Sequence, residues 1–353
     1  MESRDTGRVS RRTLLRGAAG LGLAAATGSL LPACSRNSGN RQAGAAGTDG
    51  PLETTTIRLS KIPPGPCIAA QAMAEPFLRE EGFTDIQYPS FGYGAFAGSL
   101  AAGEIDMSMG YAAMMSLRID AGDPLLMLSG VHVGCWQVFG TDAIHSMRDF
   151  KGKTVAISAP TAPDGVFMAM TLKNVGLDLN NDVKLVTFKP SDAARLLSSG
   201  EVDGLVAFPP TSQSLEAEKI GHVVLDSVTD RPWSDYYCCM AVANRTWMEQ
   251  HPVAASRALR ALMKGADVVA REPDRSARIL VDGGFTSNYD YACSILKKIP
   301  YDVWRGLDPL DSVRFYALRL QESGLIKSTP DEIIERGTDF RYLAELKREL
   351  KEA

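Results

Sequence analysis

Beyond the first fifty residues, the apolar positions fall into two kinds of run that alternate along the chain. Short aliphatic runs at 56–62, 85–91, 105–110 and 125–133 predict strands; stretches at 68–79, 95–102 and 112–121, with apolar residues three or four apart, predict helices. A second series repeats the alternation. Its strands fall at 153–158, 183–188, 202–208 and 222–225, and its helices at 165–175, 192–199 and 211–219. A further strand at 235–244 is followed only by helical patterns, at 246–271, 274–281, 288–296, 311–322, 330–336 and 340–350. Strands alternating with helices of this length predict an α/β protein with parallel sheets built from crossover units.

The two series echo one another. Leu100-Ala-Ala-Gly103-Glu104-Ile105-Asp106 matches Leu197-Ser-Ser-Gly200-Glu201-Val202-Asp203 at an offset of 97 residues, and Phe91 and Phe188 share that offset. In each copy a helix stops at Gly, which suits a left-handed helix terminus, and an apolar strand follows. Two similarly built lobes are therefore expected. The trailing helices bring no new sheet, so they are expected to pack on the first lobe. The chain then leaves lobe one near 135–140 and returns near 237–242. Lobe one comprises 55–137 plus 238–353, and lobe two 138–237. Two crossings between two α/β lobes make a hinged clamshell with its ligand cleft where the sheet ends face each other.

Composition narrows the function classes. Of 353 residues, 45% are hydrophobic, which excludes wholesale disorder, and there is no run of about 18 apolar residues, which argues against a membrane-spanning helix. Net charge is -4, and no Lys/Arg-rich run lies beyond residue 16, so no nucleic-acid partner is expected.

Residues 1–34 read as an export address. Arg11-Arg12 form a twin-arginine pair, followed by a short, weakly apolar stretch at 21–31. The stretch ends Leu31-Pro32-Ala33-Cys34, which resembles a lipobox. That resemblance implies cleavage before Cys34 and lipidation of its thiol; the alternative is an ordinary signal peptide with an incidental Cys. Residues 35–54, small, polar and Gly-rich, read as a flexible tether. Without residues 1–34 the net charge becomes -7.

Several segments carry a family likeness in order along 55–300. They are the two Leu-x-x-Gly-Glu-[Ile/Val]-Asp turns, the run from Asp149 through Lys151-Gly152-Lys153 to Ser158, the run from Val242 through Trp247 to Pro252, and Ala266 to Pro273. With them the chain resembles the periplasmic substrate-binding proteins of ATP-binding-cassette importers, in the group handling nitrate, sulfonates, taurine and thiamine-pyrimidine precursors. The resemblance implies a two-lobe periplasmic-binding-protein clamshell of type II, with a membrane permease and its ATPase as partners and no cofactor. A fungal enzyme that makes the thiamine pyrimidine shares this fold. Its catalytic lysine and histidine follow an [Ile/Val]-Asp-Met turn, where this chain has Gly110 and Met114. Its iron-associated cysteines lie near the return strand, where Cys238-Cys239 stand out of register. Those departures argue against the enzyme.

Candidate ligand contacts fall on strand-to-helix loops. Gly92-Tyr93-Gly94 fits the loose pattern G-x-G-x-x-G/A, but the next strand ends Met109-Gly110-Tyr111 without an acid, so the dinucleotide reading fails. Glycines at a helix start still let backbone N–H groups approach a ligand, and Tyr93 and Tyr111 add rings; the alternative is a packing turn. In the resembling family the loop after the first strand lines the cleft. That places Lys61, Pro64 and Cys67 there, with Lys61 either meeting an anion or simply solvated. Lobe two offers Thr161, Asp164 and Gly165 in one loop and Phe208 and Pro209 in another, as ligand groups or as helix caps. Trp136, Tyr236 and Tyr237 lie near the crossings, their rings able to sandwich a flat ligand or to pack between lobes, and Cys238 is a further candidate contact beside them.

After Cys34, five cysteines remain (Cys67, Cys135, Cys238, Cys239 and Cys293), an odd number that no complete set of disulfides uses. Three of them near the cleft suit a soft metal or one disulfide, yet no C-x-x-C or paired-His spacing accompanies them; they read as buried and inert, with no metal site expected. There is no G-x-S-x-G elbow, H-E-x-x-H or phosphate loop, so no enzyme is expected. The expectation is a monomeric, lipid-anchored, periplasmic or cell-surface binding protein. It captures a small organic anion or heterocycle by lobe closure and delivers it to a permease. The alternatives are an exported metal-dependent enzyme or sensor using Cys135, Cys238 and Cys239, and a signalling receptor of the same fold.

Overall fold

The structure, a computed structural model, describes residues 50–62, 65–92 and 94–350. The export address with Cys34, the tether as far as residue 49, and the candidate residues Pro64 and Tyr93 lie outside the described residues. The first series folds as β1 (Thr56–Arg58), α1 (Ala69–Met73), α2 (Glu75–Glu80), β2 (Asp85–Gln87), α3 (Phe96–Ala101), β3 (Met107–Tyr111), α4 (Ala112–Asp120) and β4 (Leu125–Val133). The chain then crosses into β5 (Gln137–Gly140), β6 (Thr154–Ile157), α5 (Pro163–Asn174), β7 (Lys184–Thr187), α6 (Ala193–Ser198), β8 (Gly204–Ala207), α7 (Thr211–Glu218) and β9 (His222–Asp226). It returns along β10 (Tyr237–Asn244) into α8 (Arg245–Gln250), α9 (Pro252–Arg271), α10 (Pro273–Asp282), α11 (Tyr289–Lys298), α12 (Pro309–Glu322), α13 (Pro330–Gly337) and α14 (Arg341–Glu349).

Both lobes use one sheet plan. In lobe one β1 pairs with β2 in parallel, a parallel bridge from Leu59 to Met107 joins β1 to β3, and β10 runs antiparallel between β3 and β4. In lobe two the order is β7-β6-β8-β5-β9, with β5 antiparallel to both neighbours. The expected all-parallel sheets are thus mixed. In each lobe the antiparallel strand is the one that arrives from the other lobe, and it enters from the opposite end. β5 falls where only a crossing was expected.

The sequence echo has a structural cause. The Asp106 carboxylate accepts the Arg58 backbone N–H at 2.7 Å, its own N–H donates to Arg58 O, and its carbonyl accepts from Asn244 N. The Asp203 carboxylate accepts the Thr154 N–H at 2.8 Å, its N–H donates to Thr154 O, and its carbonyl accepts from Thr141 N. Each aspartate therefore staples the third strand to the first and to the strand from the other lobe. The preceding Gly103 and Gly200 have φ of +74° and +72°, the left-handed helix terminus expected of them.

The C-terminal helices pack mainly on lobe one. At Gly265 a Cβ would stand 2.2 Å from Ala70 O, so only glycine lets α9 lie this close to α1. The helical run at 246–271 breaks at His251-Pro252, since proline begins a helix but cannot continue one. They also reach lobe two: Arg319 on α12 meets Asn174 on α5 at 3.3 Å, Phe315 on α12 packs edge-on against Trp233, and Lys298 on α11 pairs with Asp226 at 2.6 Å. Residues 50–54, placed in the tether on sequence, are docked on α9: the Glu53 carboxylate accepts the N–H groups of Val253 and Ala254, both at 3.0 Å.

Candidate functional site

The loops that follow β1, β3, β6 and β8 converge between the lobes. There they enclose a cavity of about 360 Å³, in the size range of small-molecule sites, with a narrower arm of about 40 Å³. Gly94, Pro163 and Phe208 line both, so the two form one cleft. The lobe-two wall comprises Ser158, Ala162, Pro163, Asp164, Phe188 and the run from Val206 to Thr211. The arm reaches lobe one at Ile62, Cys67, Phe96, Met109, Tyr111, Met114, Met115 and Cys239. Tyr111 and Phe208 stand 97 residues apart, as do Asp106 and Asp203: Tyr111 ends β3, Phe208 follows β8, and each lines the cleft from its own lobe.

An aromatic cluster forms the floor. Trp136 has its ring centroid 5.1 Å from Phe208, 5.6 Å from Tyr111 and 5.9 Å from Phe167. Its backbone is fixed by the other crossing: Ser227 N donates to Trp136 O at 2.9 Å, Ser227 Oγ to the same carbonyl at 2.7 Å, and Trp136 N to Ser227 Oγ at 2.9 Å. The two crossings are thereby tied together at a residue that lines the cavity. Asp164, buried at the first turn of α5, is the one carboxylate among the described lining residues, and its Oδ2 accepts Ser158 N at 2.6 Å. None of the described lining residues is Lys, Arg or His.

Of the expected ligand contacts, the structure brings Cys67, Gly94, Tyr111, Trp136, Asp164, Phe208 and Pro209 to the cleft. Lys61 turns instead to the loop after α10. Its Nζ donates to Gly283 O at 2.5 Å and lies 5.1 Å from the Phe285 ring centroid. Tyr237 is buried, with its hydroxyl donating to Val303 O and Leu307 O. Gly92 and Thr161 are exposed off the lining. Gly110 packs on Met115, and a Cβ at Gly165 would stand 2.1 Å from Ala159 O. Cys238 points into the core while its neighbour Cys239 lines the arm. Sequence reasoning passed over Phe96, Met109, Met114, Met115 and Phe188. In the sequence Met109 and Phe188 stand out only as strand ends and Met114 only where the fungal enzyme has a catalytic residue, while Phe96 and Met115 carry no signal of their own.

Under the arm lies a buried thiol cluster. Cys67 Sγ is 2.8 Å from Cys135 Sγ, and His132 Nδ1 is 4.0 Å from Cys135 Sγ. Burial pushes the thiols of Cys67, Cys135 and Cys238 well up. Hydrogen bonds from Cys135, Cys238 and Cys67 hold Cys239 well below the usual thiol range. At His132 burial opposes the charge, but the Cys239 sulfur beside it outweighs burial and raises the imidazole.

This is the periplasmic-binding-protein fold. The periplasmic nitrate-binding protein NrtA from Synechocystis PCC 6803 superposes with a TM-score of 0.71 at 14% identity, covering 86% of this chain and 90% of that one. The alkanesulfonate-binding protein SsuA from Xanthomonas axonopodis pv. citri, bound to MOPS, superposes at 0.64 with 15% identity, covering 79% and 96%. The family model of the NMT1-like family matches residues 50–280, and the chain belongs to that family. Over 122 residues it is 28% identical to the nitrate/nitrite binding protein NrtA of Nostoc sp. (strain PCC 7120 / SAG 25.82 / UTEX 2576), a match over 35% of this chain. The chain spans about a quarter (27%) of the length of that curated relative.

Proposed function

We propose that this chain is the solute-binding component of an ABC importer and not an enzyme. In this reading it is exported to the periplasm or outer cell surface and anchored through Cys34. Lobe one (55–137 plus 238–353) and lobe two (138–237) close on a small planar heterocycle, and the closed form is presented to the permease. The observation that carries the reading is the cleft itself. It lies at the strand ends of two sheets of one plan, and its floor, Trp136, sits on the tied crossings. A ligand that touches Tyr111 on one wall and Phe208 on the other favours the closed state by its contacts to both. NrtA and SsuA, by their names, bind nitrate and alkanesulfonate. Here the described lining offers aromatic rings and one carboxylate, which suits a flat, uncharged or weakly basic ring with an N–H donor better than an anion.

The test is native mass spectrometry for a co-purifying solute, followed by a thermal-shift panel of pyrimidines, nitrate and alkanesulfonates. A pyrimidine-type heterocycle at a hundredfold excess over its dissociation constant is expected to add about 2.7 kcal/mol. A panel in which only nitrate or sulfonate stabilises the protein would overturn the ligand class. Substitution Cys34→Ser tests the anchor, since it should move the protein from the membrane to the soluble fraction; an unchanged membrane fraction sinks that part of the reading.

A further inference from the structure

We propose that Cys67, His132, Cys135, Cys238 and Cys239 supply the ligands of a buried site for one thiophilic d10 cation, Cu(I) or Zn(II), set between the two crossings beneath the solute cleft. Two overlapping groups of donors define it. The Sγ atoms of Cys135, Cys238 and Cys239 all lie within 4.8 Å of one another, and the same holds for Cys67 Sγ, Cys135 Sγ and a ring nitrogen of His132. Cys135 belongs to both. A tetrahedral cation with metal–sulfur bonds of 2.3 Å sets its sulfurs about 3.8 Å apart, so no donor pair of either group has to close by more than about 1 Å, while Cys67 and Cys135, at 2.8 Å, have to open by about 1 Å.

The donors come from three separate stretches of chain: the turn before α1, the end of β4 with the first crossing, and the start of β10. Two irregularities of the backbone bring them together. Successive residues of a strand point to opposite faces, yet Cys238 and Cys239 both join the cluster. The pairing of β10 with β4 shifts register between Tyr237 and Cys239 and again between Cys239 and Met240, a bulge that re-aims the side chains. Cys135 has φ of +141°, which a residue with a Cβ rarely adopts. Strain of that kind persists only where the surroundings over-determine it, and it gathers at functional positions.

The chemistry suits a soft cation. All five side chains are buried, at 0–7% exposure, so water does not solvate a charge here. Four sulfurs and an imidazole select Cu(I) or Zn(II) over hard cations. Binding replaces thiol protons by the metal and releases them to solvent. A site spanning both crossings also couples metal occupancy to the hinge.

The experiment uses the full exported chain, reduced and handled without oxygen. It is titrated separately with Cu(I) held by a competing chelator and with Zn(II). Native mass spectrometry gives the stoichiometry, and thiolate-to-metal charge-transfer absorption reports the sulfur bonds. About one equivalent is expected. The affinity should fall at least about 100-fold in Cys135→Ser and in Cys239→Ser and stay unchanged in Cys293→Ser, whose thiol lies outside the cluster. Stoichiometric Cu(I) or stoichiometric Zn(II) each supports the site and names its metal. Failure of the reduced wild-type chain to bind either ion overturns it, as does undiminished binding in the double variant Cys135→Ser/Cys239→Ser. So does a Cys67–Cys135 disulfide in protein isolated without reductant. The wild-type titration stands even if a variant does not fold.

Discussion

Asp106 and Trp136 show how single residues set this molecule. Asp106 is 2% exposed and paired with Arg58, Nη2 to Oδ1 at 2.5 Å, besides its backbone staple. Asp106→Ala leaves the Arg58 guanidinium and its N–H without their acceptor, and it is expected to cost about 3 kcal/mol in urea unfolding. Asp203→Ala, at a 29% exposed side chain whose Lys153 partner stands 3.8 Å away, is expected to cost about 1 kcal/mol. Equal losses would contradict this ranking. Trp136→Ala and Phe208→Ala are each expected to weaken solute binding about 10- to 100-fold with the fold intact, read by calorimetry; an unchanged affinity in both would remove the aromatic floor from the account. Tyr111, Asp164 and Phe208 were legible in the sequence because strand-to-helix junctions of α/β lobes face the cleft, and Trp136 because it is an aromatic at a crossing between lobes. The turning away of Lys61 was not. It depends on Gly283 and Phe285, more than 200 positions along the chain, and no local pattern encodes that meeting. The thiol cluster was equally hidden, since its donors share no spacing and converge only through the crossings and a bulge.

Among the elements, those with long periods were read closely and those set by partners were not. Residues 125–133 form β4 as predicted, and α4, α6 and α7 begin and end within a residue or so of their predicted bounds. β5 was missed: its segment reads only as the link between lobes, and its place as a strand is set by pairing with β8 and β9, which lie 64 or more positions further along the chain. The docking of residues 50–54 was missed for a similar reason: Glu53 caps α9 from 200 positions upstream. Burial works against ionisation of Glu53, but the backbone N–H groups of Val253 and Ala254 outweigh it, so its carboxyl sits below the usual 4.5. A value lowered by folding stabilises the protein above pH 4.5, and that contribution fades as pH falls through the folded value. The group is largely exposed and screened, so Glu53→Gln is expected to cost no more than about 1 kcal/mol at neutral pH. Thermal unfolding of the two proteins should converge in acid. A difference that grows as pH falls would contradict the capping role.

At the scale of the whole molecule, one plan is used twice and joined at one place. The internal echo announced two lobes, and the repeated aspartate staples and left-handed glycines give that echo its physical cause. The antiparallel strand of each sheet comes from the opposite lobe, so both crossings run under the cleft, and Ser227 binds them together at Trp136. The contacts of Arg319 with Asn174 and of Lys298 with Asp226 add ties beside that hinge. In the proposed reading, such a joint lets a solute that touches both Tyr111 and Phe208 convert its contacts into a movement of one lobe on the other. The central claim is that the solute selects a closed form. Small-angle X-ray scattering of the purified chain, with and without the most stabilising compound of the thermal-shift panel, tests it most directly. The account predicts a smaller radius of gyration when the solute is bound; the same radius with a solute shown to be bound would contradict it.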